Sequence, residues 1–334
     1  MVPKITALII VYNSENSILG SIRSIQNQKI NDIEILIIDD FSTDNTLQII
    51  NDLQKKDPRI KIIKNHKNRG CLYSRSIGAL NSLGKYIMAL DSDDLFINNN
   101  IFNICYYEAE INNIDILEFS GFQLKKQILK LNNKFPKIAL YLRYKANNLT
   151  LKQPQLFNSL YLKNRSKIIR LTDAYIWGKC IKKNIYIKAL NLLGEKIYKS
   201  FYNYGEDRIV NFILFKVANS FKFIEEYGII YYYNPYSVCN SFKKEIIAHD
   251  ELINLMSIYN FTKNSSDLEI IIYELKYRWN KTINPGLNNE NKQYAKKLIK
   301  FLLISKFIKK KDKKQLKKYL KEMNLTEEIV FKDN

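Results

Sequence analysis

Histidine, cysteine, glycine and proline are all scarce in this 334-residue chain, and each scarcity removes a class of explanation. The two histidines, His66 and His249, have no partner at ligand spacing, so neither marks a metal site and both read as structural or surface residues. The four cysteines, Cys71, Cys105, Cys180 and Cys239, stand far apart. They match neither a zinc spacing nor a dense disulfide framework, which predicts reduced structural thiols. Ten glycines and six prolines are too few for an extended low-complexity chain. No apolar run approaches the length that spans a bilayer, and the apolar start from Ile5 to Tyr12 lacks the basic flank and cleavage site of a leader. A cytosolic protein is expected, which still allows one that sits against a membrane face.

What is present is a folding composition with a strong charge. Hydrophobic residues make up 46% and aromatics 13%, enough to bury a real core in one large or two modest domains. Fifty-three Lys and Arg against 33 Asp and Glu give +20, a surface that attracts nucleic acid, anionic lipid or phosphorylated ligands, or that is simply solvated. The Lys, Ile and Asn-rich composition makes that charge less specific to function.

The first third alternates short apolar runs with amphipathic segments, as strands and crossover helices of a mainly parallel sheet do. The pattern predicts strands at Thr6 to Tyr12, Glu34 to Ile38, Ile60 to Lys64, Tyr86 to Leu90 and Asp115 to Phe119. Ile18, Ile22 and Ile25 predict one helix behind a Ser14 cap; Leu47, Ile50 and Leu53 a second behind Thr43 or Asp44. Ile77, Leu80 and Leu83 predict a third, closed by Gly84. From Gln123 to Arg170 the alternation fails. It returns at Asp173 to Leu190, with a helix expected from Glu206 to Ala218 and one or two strands in Phe221 to Tyr233. Beyond His249 the chain reads as helical and increasingly basic. Between Lys292 and Lys321, lysines accompany Leu298, Ile299, Phe301, Leu302, Leu303, Phe307 and Ile308. Such a helix either lies on anionic lipid or packs its apolar face on the protein and turns its lysines to water.

The most telling stretch is Ala89-Leu90-Asp91-Ser92-Asp93-Asp94, where carboxylates crowd immediately after an apolar run. Like charges in one site raise each other's pKa, and a divalent cation with hard oxygen ligands is the usual remedy. Asp39-Asp40 closes the second strand as Asp91 to Asp93 closes the fourth. In open parallel sheets ligands bind beyond the carboxyl ends of the strands, so both pairs are expected to line one crevice. Turn and cap duty accounts for part of the Asp39 to Asp44 cluster.

These segments resemble the family 2 glycosyltransferases with the glycosyltransferase A-type fold. Ala7-Leu8-Ile9-Ile10-Val11-Tyr12-Asn13 is similar to that family's first strand and donor-side turn, and Ile37-Ile38-Asp39-Asp40-Phe41-Ser42-Thr43-Asp44 to its second strand and nucleoside-contacting acid. Asn68-Arg69-Gly70 with Ser74-Arg75-Ser76-Ile77-Gly78 resembles the segment around a donor-side Arg, although Ser76 stands where the family usually has Asn. Gly84 to Asp94 resembles the strand leading to the D-x-D motif. In the second half, Trp177-Gly178-Lys179 and Gly205-Glu206-Asp207-Arg208 resemble the aromatic-Lys segment and the acidic pair whose Asp is the family's base.

The resemblance implies a Rossmann-like α/β fold with a mainly parallel sheet and a helical, basic C-terminal region. Residues 1–120 would form the nucleotide-sugar half, 121–248 the acceptor and base half, and 249–334 the extension. Tyr12, Asp40, Arg75 and Asp91 would border the nucleotide-sugar, Asp93 with Asp91 would hold Mg or Mn, and Asp207 would be the catalytic base. Trp177, Lys179 and Glu206 become acceptor-side candidates. The implied activity is inverting, metal-dependent transfer of a sugar, hexosyl or N-acetylhexosaminyl, from a UDP-sugar to a glycan or glycolipid hydroxyl. An anionic membrane surface is an expected partner through residues 292–321. Nucleic acid fits poorly, because the sharpest motifs are acidic. A sugar-phosphate nucleotidyltransferase is the nearest rival, though the early Gly-rich phosphate loop of such an enzyme is absent; a non-catalytic basic binding protein is the other alternative.

Overall fold

The computed structural model describes residues 2–125, 150–152, 161–164, 167–170, 175–201, 204–233, 243–262, 268–305 and 308–323. The chain divides into two compact units, Met1–Asn240 and Ser241–Asn334. In the first, β1 (Ile5–Val11), α1 (Ile18–Gln26), β2 (Ile33–Asp39), α2 (Thr46–Lys56), β3 (Ile60–Lys64), α3 (Cys71–Asn81) and β4 (Tyr86–Asp91) follow in strict alternation. A short β5 (Leu95–Phe96), α4 (Ile101–Ile111), β6 (Ile116–Lys125), β7 (Thr150–Lys152), β8 (Tyr161–Asn164) and β9 (Lys167–Arg170) come next. The unit ends with β10 (Lys179–Lys182), α5 (Lys183–Leu193), α6 (Glu195–Tyr198), α7 (Glu206–Val217) and the long β11 (Ser220–Tyr233). The expected 123–170 segment falls partly outside the described residues, as does Cys239.

Among the described residues one sheet has nine strands, ordered β3-β2-β1-β4-β10-β6-β11-β5 with β7 also on β11; β8 and β9 pair separately. β3, β2, β1 and β4 are parallel, β10 runs against both β4 and β6, and β11 is parallel to β6. The chain steps outward from β1 to β3 and then returns to the other side of β1 with β4. That reversal opens a crevice at the carboxyl ends of β1 and β4, where such sheets bind ligands. Every residue of β2 is buried, as a parallel strand covered on both faces requires. Helix α1 buries Ile18, Ile22 and Ile25 as their spacing predicts, each worth about 1.5–3 kcal/mol of apolar burial.

Two local expectations are corrected. Ser14 does not cap α1 with its hydroxyl; its carbonyl receives the Ser17 and Ile18 amides while Oγ meets Ser92 Oγ at 2.7 Å. Helix α3 begins earlier than its leucines suggest, so its inner stripe is Leu72, Arg75, Ser76 and Ala79, leaving Leu80 and Leu83 exposed. Gly84 is no helix stop: α3 ends at Asn81. The Leu83 amide donates to Glu34 Oε2 and the Gly84 amide to Thr6 Oγ1, both at 2.8 Å. A Cβ at Gly84 would sit 2.3 Å from the Thr6 nitrogen, so glycine is there for close approach to β1.

The second unit is helical: α8 (Lys244–Thr262), α9 (Leu268–Arg278), a π turn and a 3₁₀ turn through Gly286, α10 (Asn289–Ile304) and α11 (Lys310–Glu322). Arg278 is buried between Glu251 and Glu274, donating to both at 2.6–2.8 Å. Leu298, Ile299, Leu302 and Leu303 of α10 are buried, and Ile308 with them. This corrects the lipid-insertion form of the tail reading, because the apolar face is already covered by protein. On α11 the acids turn inward, Asp312 to Lys276 and Glu322 to Trp279 Nε1, while Lys310, Lys311, Lys314, Lys317, Lys318 and Lys321 are exposed. Among the described residues no helix is long and apolar enough to cross a membrane.

Candidate active site

The crevice wall is built from three strand ends. After β1, Tyr12 is exposed and Asn13 takes φ 48°, a left-handed conformation that Asn tolerates. Asn13 locks this turn to the loop after β2: its amide donates to Ser42 Oγ, and its Oδ1 accepts from the Thr43 amide at 2.8 Å. Phe41, exposed at φ 71°, is held in a strained conformation between them; Ser42 is pinned in turn by Asp39 Oδ1. Asp39 is fully buried, and its Oδ2 has no hydrogen-bond partner.

Asp40, expected beside the nucleoside, is buried. Its carboxylate receives Asn65 Nδ2 at 2.7 Å and the Arg69 and Gly70 amides at 2.9 and 2.8 Å. It thereby shapes the loop entering α3.

The D-x-D loop after β4 is fixed from below. The Asp94 amide closes a turn onto the Asp91 carbonyl, and Ser21 Oγ of α1 donates to the Ser92 and Asp94 carbonyls. The Asp94 carboxyl is buried, accepts from the Tyr232 amide at 3.0 Å through Oδ1, and leaves Oδ2 without a partner. Burial, with Asp91 and Asp93 adding to it, pushes its pKa well above the carboxylate range. Asp91 and Asp93 remain partly exposed toward the crevice side of the turn.

At the centre is Arg75, expected as a donor contact. It is neither on the surface nor singly paired. Its Nη1 donates to Glu206 Oε1 at 2.6 Å and Asp207 Oδ1 at 2.5 Å, and Nη2 lies 3.4 Å from Asp91 Oδ1. Burial opposes its charge, but Asp207, Glu206 and Asp91 outweigh that and hold its pKa above the ordinary value. One guanidinium cannot neutralise three acids. Burial first, then Asp207, pushes Glu206 up to about 8 against the pull of Arg75. Asp91, its side chain still 39% exposed, is pushed up to about 6 by desolvation, with Arg75 opposing and Asp207 and Asp93 reinforcing. Asp207 is 17% exposed in the first turn of α7, where unpaired amides favour a carboxylate.

Of the acceptor-side candidates, Lys179 and Glu206 are buried. Lys179 Nζ donates to the Tyr175 carbonyl at 2.7 Å and pairs with Glu118 at 3.3 Å, so its charge is spent inside the protein. Trp177 stacks with Tyr175 and Tyr231. Tyr175 is the partner that sequence reasoning missed. The site thus gathers Asp91, Arg75, Glu206 and Asp207 from both halves of the first unit.

Could this site hold a divalent cation? Among the described residues no three His, Cys, Asp or Glu side chains form an all-protein cage. Asp91 and Asp93 offer two crowded hard-oxygen donors. That suits a Mg-type ion that keeps water and takes substrate phosphates as its other ligands.

A mainly parallel sheet with an acidic crevice at its switch point, followed in sequence by a helical region, is a glycosyltransferase A-like fold. Residues 6–107 match the family described as glycosyl transferase family 2. It is 28% identical over 238 residues to the uncharacterized glycosyltransferase EpsJ of Bacillus subtilis, covering 71% of this chain and 63% of that protein. It is 38% identical over 107 residues to the Escherichia coli UDP-Glc:alpha-D-GlcNAc-diphosphoundecaprenol beta-1,3-glucosyltransferase WfaP, covering 32% of this chain and 42% of that one. The chain therefore spans less than two thirds of either relative's length. In three dimensions it is similar to residues 1–349 of S. aureus TarS in complex with UDP-GlcNAc, with a TM-score of 0.68 at 14% identity over 97% of this chain and 88% of that one.

Proposed function

We propose that the protein is an inverting glycosyltransferase that moves a sugar from a UDP-sugar to a hydroxyl of a glycan or glycolipid. The observation that carries this reading is that Asp91 and Asp207 meet the two terminal nitrogens of one buried guanidinium, a leaving-group acid and a base held in a single frame. Asp207 Oδ1 is committed to Arg75, so the second carboxylate oxygen takes the acceptor proton. As the O–H bond breaks, the acceptor oxygen bonds to the anomeric carbon, and the bond from that carbon to the diphosphate oxygen breaks with its electron pair leaving on the diphosphate. A single displacement of this kind inverts the anomeric centre. Asp91 and Asp93 would hold Mg or Mn, which when bound offsets charge on the departing diphosphate. UDP as the carrier is supported by the UDP-Glc of WfaP and the UDP-GlcNAc of the TarS complex.

The lipid-linked acceptor in the name of WfaP supports an acceptor presented at a membrane face, with the protein peripheral on its cytoplasmic side. The exposed lysines of α11 support the same reading. Their spacing puts like charges on neighbouring turns, which opposes the helix unless an anionic surface lies opposite. Flotation with phosphatidylglycerol vesicles tests it: Lys310, Lys314, Lys317 and Lys321 changed together to Gln should abolish binding, and no binding by the unaltered chain removes the proposal.

The chemistry is tested by incubating the protein with a panel of nucleotide sugars and Mg or Mn and measuring nucleoside diphosphate release and product. Asp207→Asn should keep the donor dissociation constant and lose transfer by about 10²–10⁴-fold. Transfer at the normal rate in that variant would show that Asp207 is not the base.

A further inference from the structure

Trp177, Tyr175 and Tyr231 form an aromatic group whose geometry decides which faces are open. Tyr175 and Tyr231 lie 4.9 and 5.8 Å from the Trp177 ring, tilted by only 12° and 15°, and 6.4 Å from each other. Rings on opposite faces of the indole would be separated by about 7 Å or more, twice the contact distance of stacked carbons. The observed 6.4 Å therefore puts both tyrosines on the same face of Trp177, side by side. Gly121 makes this possible, because a Cβ there would lie 3.2 Å from Trp177 Cζ3 and lift the indole off the sheet. Trp177 Nε1 is buried without a partner, a cost that a purely structural ring such as Phe would not carry. Tyr175 is 41% exposed.

The position of this group is set by hydrogen bonds to two neighbouring elements. On one flank Asn211 Nδ2, one turn after Asp207 on α7, donates to the Tyr175 carbonyl at 3.1 Å. On the other, the amide of Tyr232, next to Tyr231, donates to Asp94 beside the D-x-D pair. The rings are thus tethered both to the helix that carries the base and to the loop that carries the leaving-group acids.

We propose that Tyr175 and Tyr231, backed by Trp177, form a stacking platform for the pyranose ring of the acceptor, and that the platform selects a neutral sugar. This rests on the glycosyltransferase reading. A pyranose offers a flat face of polarised C–H groups that packs on aromatic rings, and a two-ring tile is wide enough for one such ring. The surrounding carboxylates, with Arg75 already engaged, disfavour a uronic acid at the same place.

The test uses the two tryptophans of the chain. Trp279 is fully buried and serves as a silent reference, whereas Trp177 lies under the platform. Methyl β-glucopyranoside, methyl N-acetyl-β-glucosaminide and methyl β-glucuronide are titrated into the intact chain with UDP and Mn while emission is followed. A neutral glycoside should change emission saturably, and the change should vanish in Trp177→Phe. Tyr175→Ala should weaken that binding at least about tenfold, while Tyr175→Phe retains it. The absence of any saturable change, unaltered affinity in Tyr175→Ala, or equal binding of the glucuronide would overturn the proposal. Binding is read without turnover, and nucleoside diphosphate release into water is measured separately. A failed donor reaction and a failed platform are therefore distinct results.

Discussion

Arg75 Nη1 donates to Asp207 Oδ1 across 2.5 Å, joining α3 to the first turn of α7 over 132 residues of sequence. The bond is partly buried and its donor is shared with buried Glu206, so it organises the site and also holds two parts of the first unit together.

Removing the guanidinium leaves its acids uncompensated. Arg75→Met should cost about 3–5 kcal/mol, as breaking a buried ion pair does. The pH dependence has a definite sign. The Glu206 pKa is raised in the folded state to about 8, so the stability from its bound proton is full below about 4.5 and is lost as pH rises through about 8. Without Arg75 that decline should steepen. Urea midpoints at pH 5, 7 and 9 for the two proteins check this; parallel pH curves would mean that Arg75 and Glu206 are not coupled.

Metal dependence should reside in the D-x-D pair. Calorimetric titration with UDP should show affinity falling about tenfold or more, about 1.4 kcal/mol, when Mn is chelated. In Asp93→Asn the chelator should make no further difference. A variant that still responds to Mn would relocate the cation.

Asp57 gives a separate acid transition. Arg59 binds it through Nε and Nη2 at 3.0 and 2.9 Å, and Gln26 Nε2 adds a bond at 2.8 Å. Its pKa is lowered to about 2, first by Arg59, so its contribution is present above about 4 and is lost as pH falls through about 2. Asp57→Asn should lower stability by about 1–2 kcal/mol at pH 7. Thermal unfolding from pH 7 to 2 should show the two proteins converging.

Close packing at the Leu83-Gly84 turn is also testable. Gly84→Ala should destabilise by about 1–3 kcal/mol, because its Cβ meets β1 backbone that cannot yield cheaply. Leu83→Ala, at an exposed side chain, should stay within about 0.5 kcal/mol. Equal losses would return Leu83 to a buried helix face.

The parallel half of the sheet was legible because its signals are local. Runs such as Ile33–Asp39 and the Ile18, Ile22, Ile25 stripe carry their period within a few residues, and acids at strand ends follow from where sheets bind ligands. The α3 error has the same origin in reverse. Three leucine-type residues at helical spacing do not reveal that the helix starts at Cys71 or that Gly84 is crowded by β1.

Sequence by itself determined the alternating fold, the acidic pairs and the family resemblance, since each is written in neighbouring residues. Only the tertiary structure decided what those residues face. It turned Asp40 to its own loop, buried Lys179 against Glu118, and covered the apolar face of α10. It also set Arg75 among Asp91, Glu206 and Asp207. A side chain's partners at distances of a hundred residues are set by sheet register and helix packing, and the ionic balance of the site exists only once those surfaces have met.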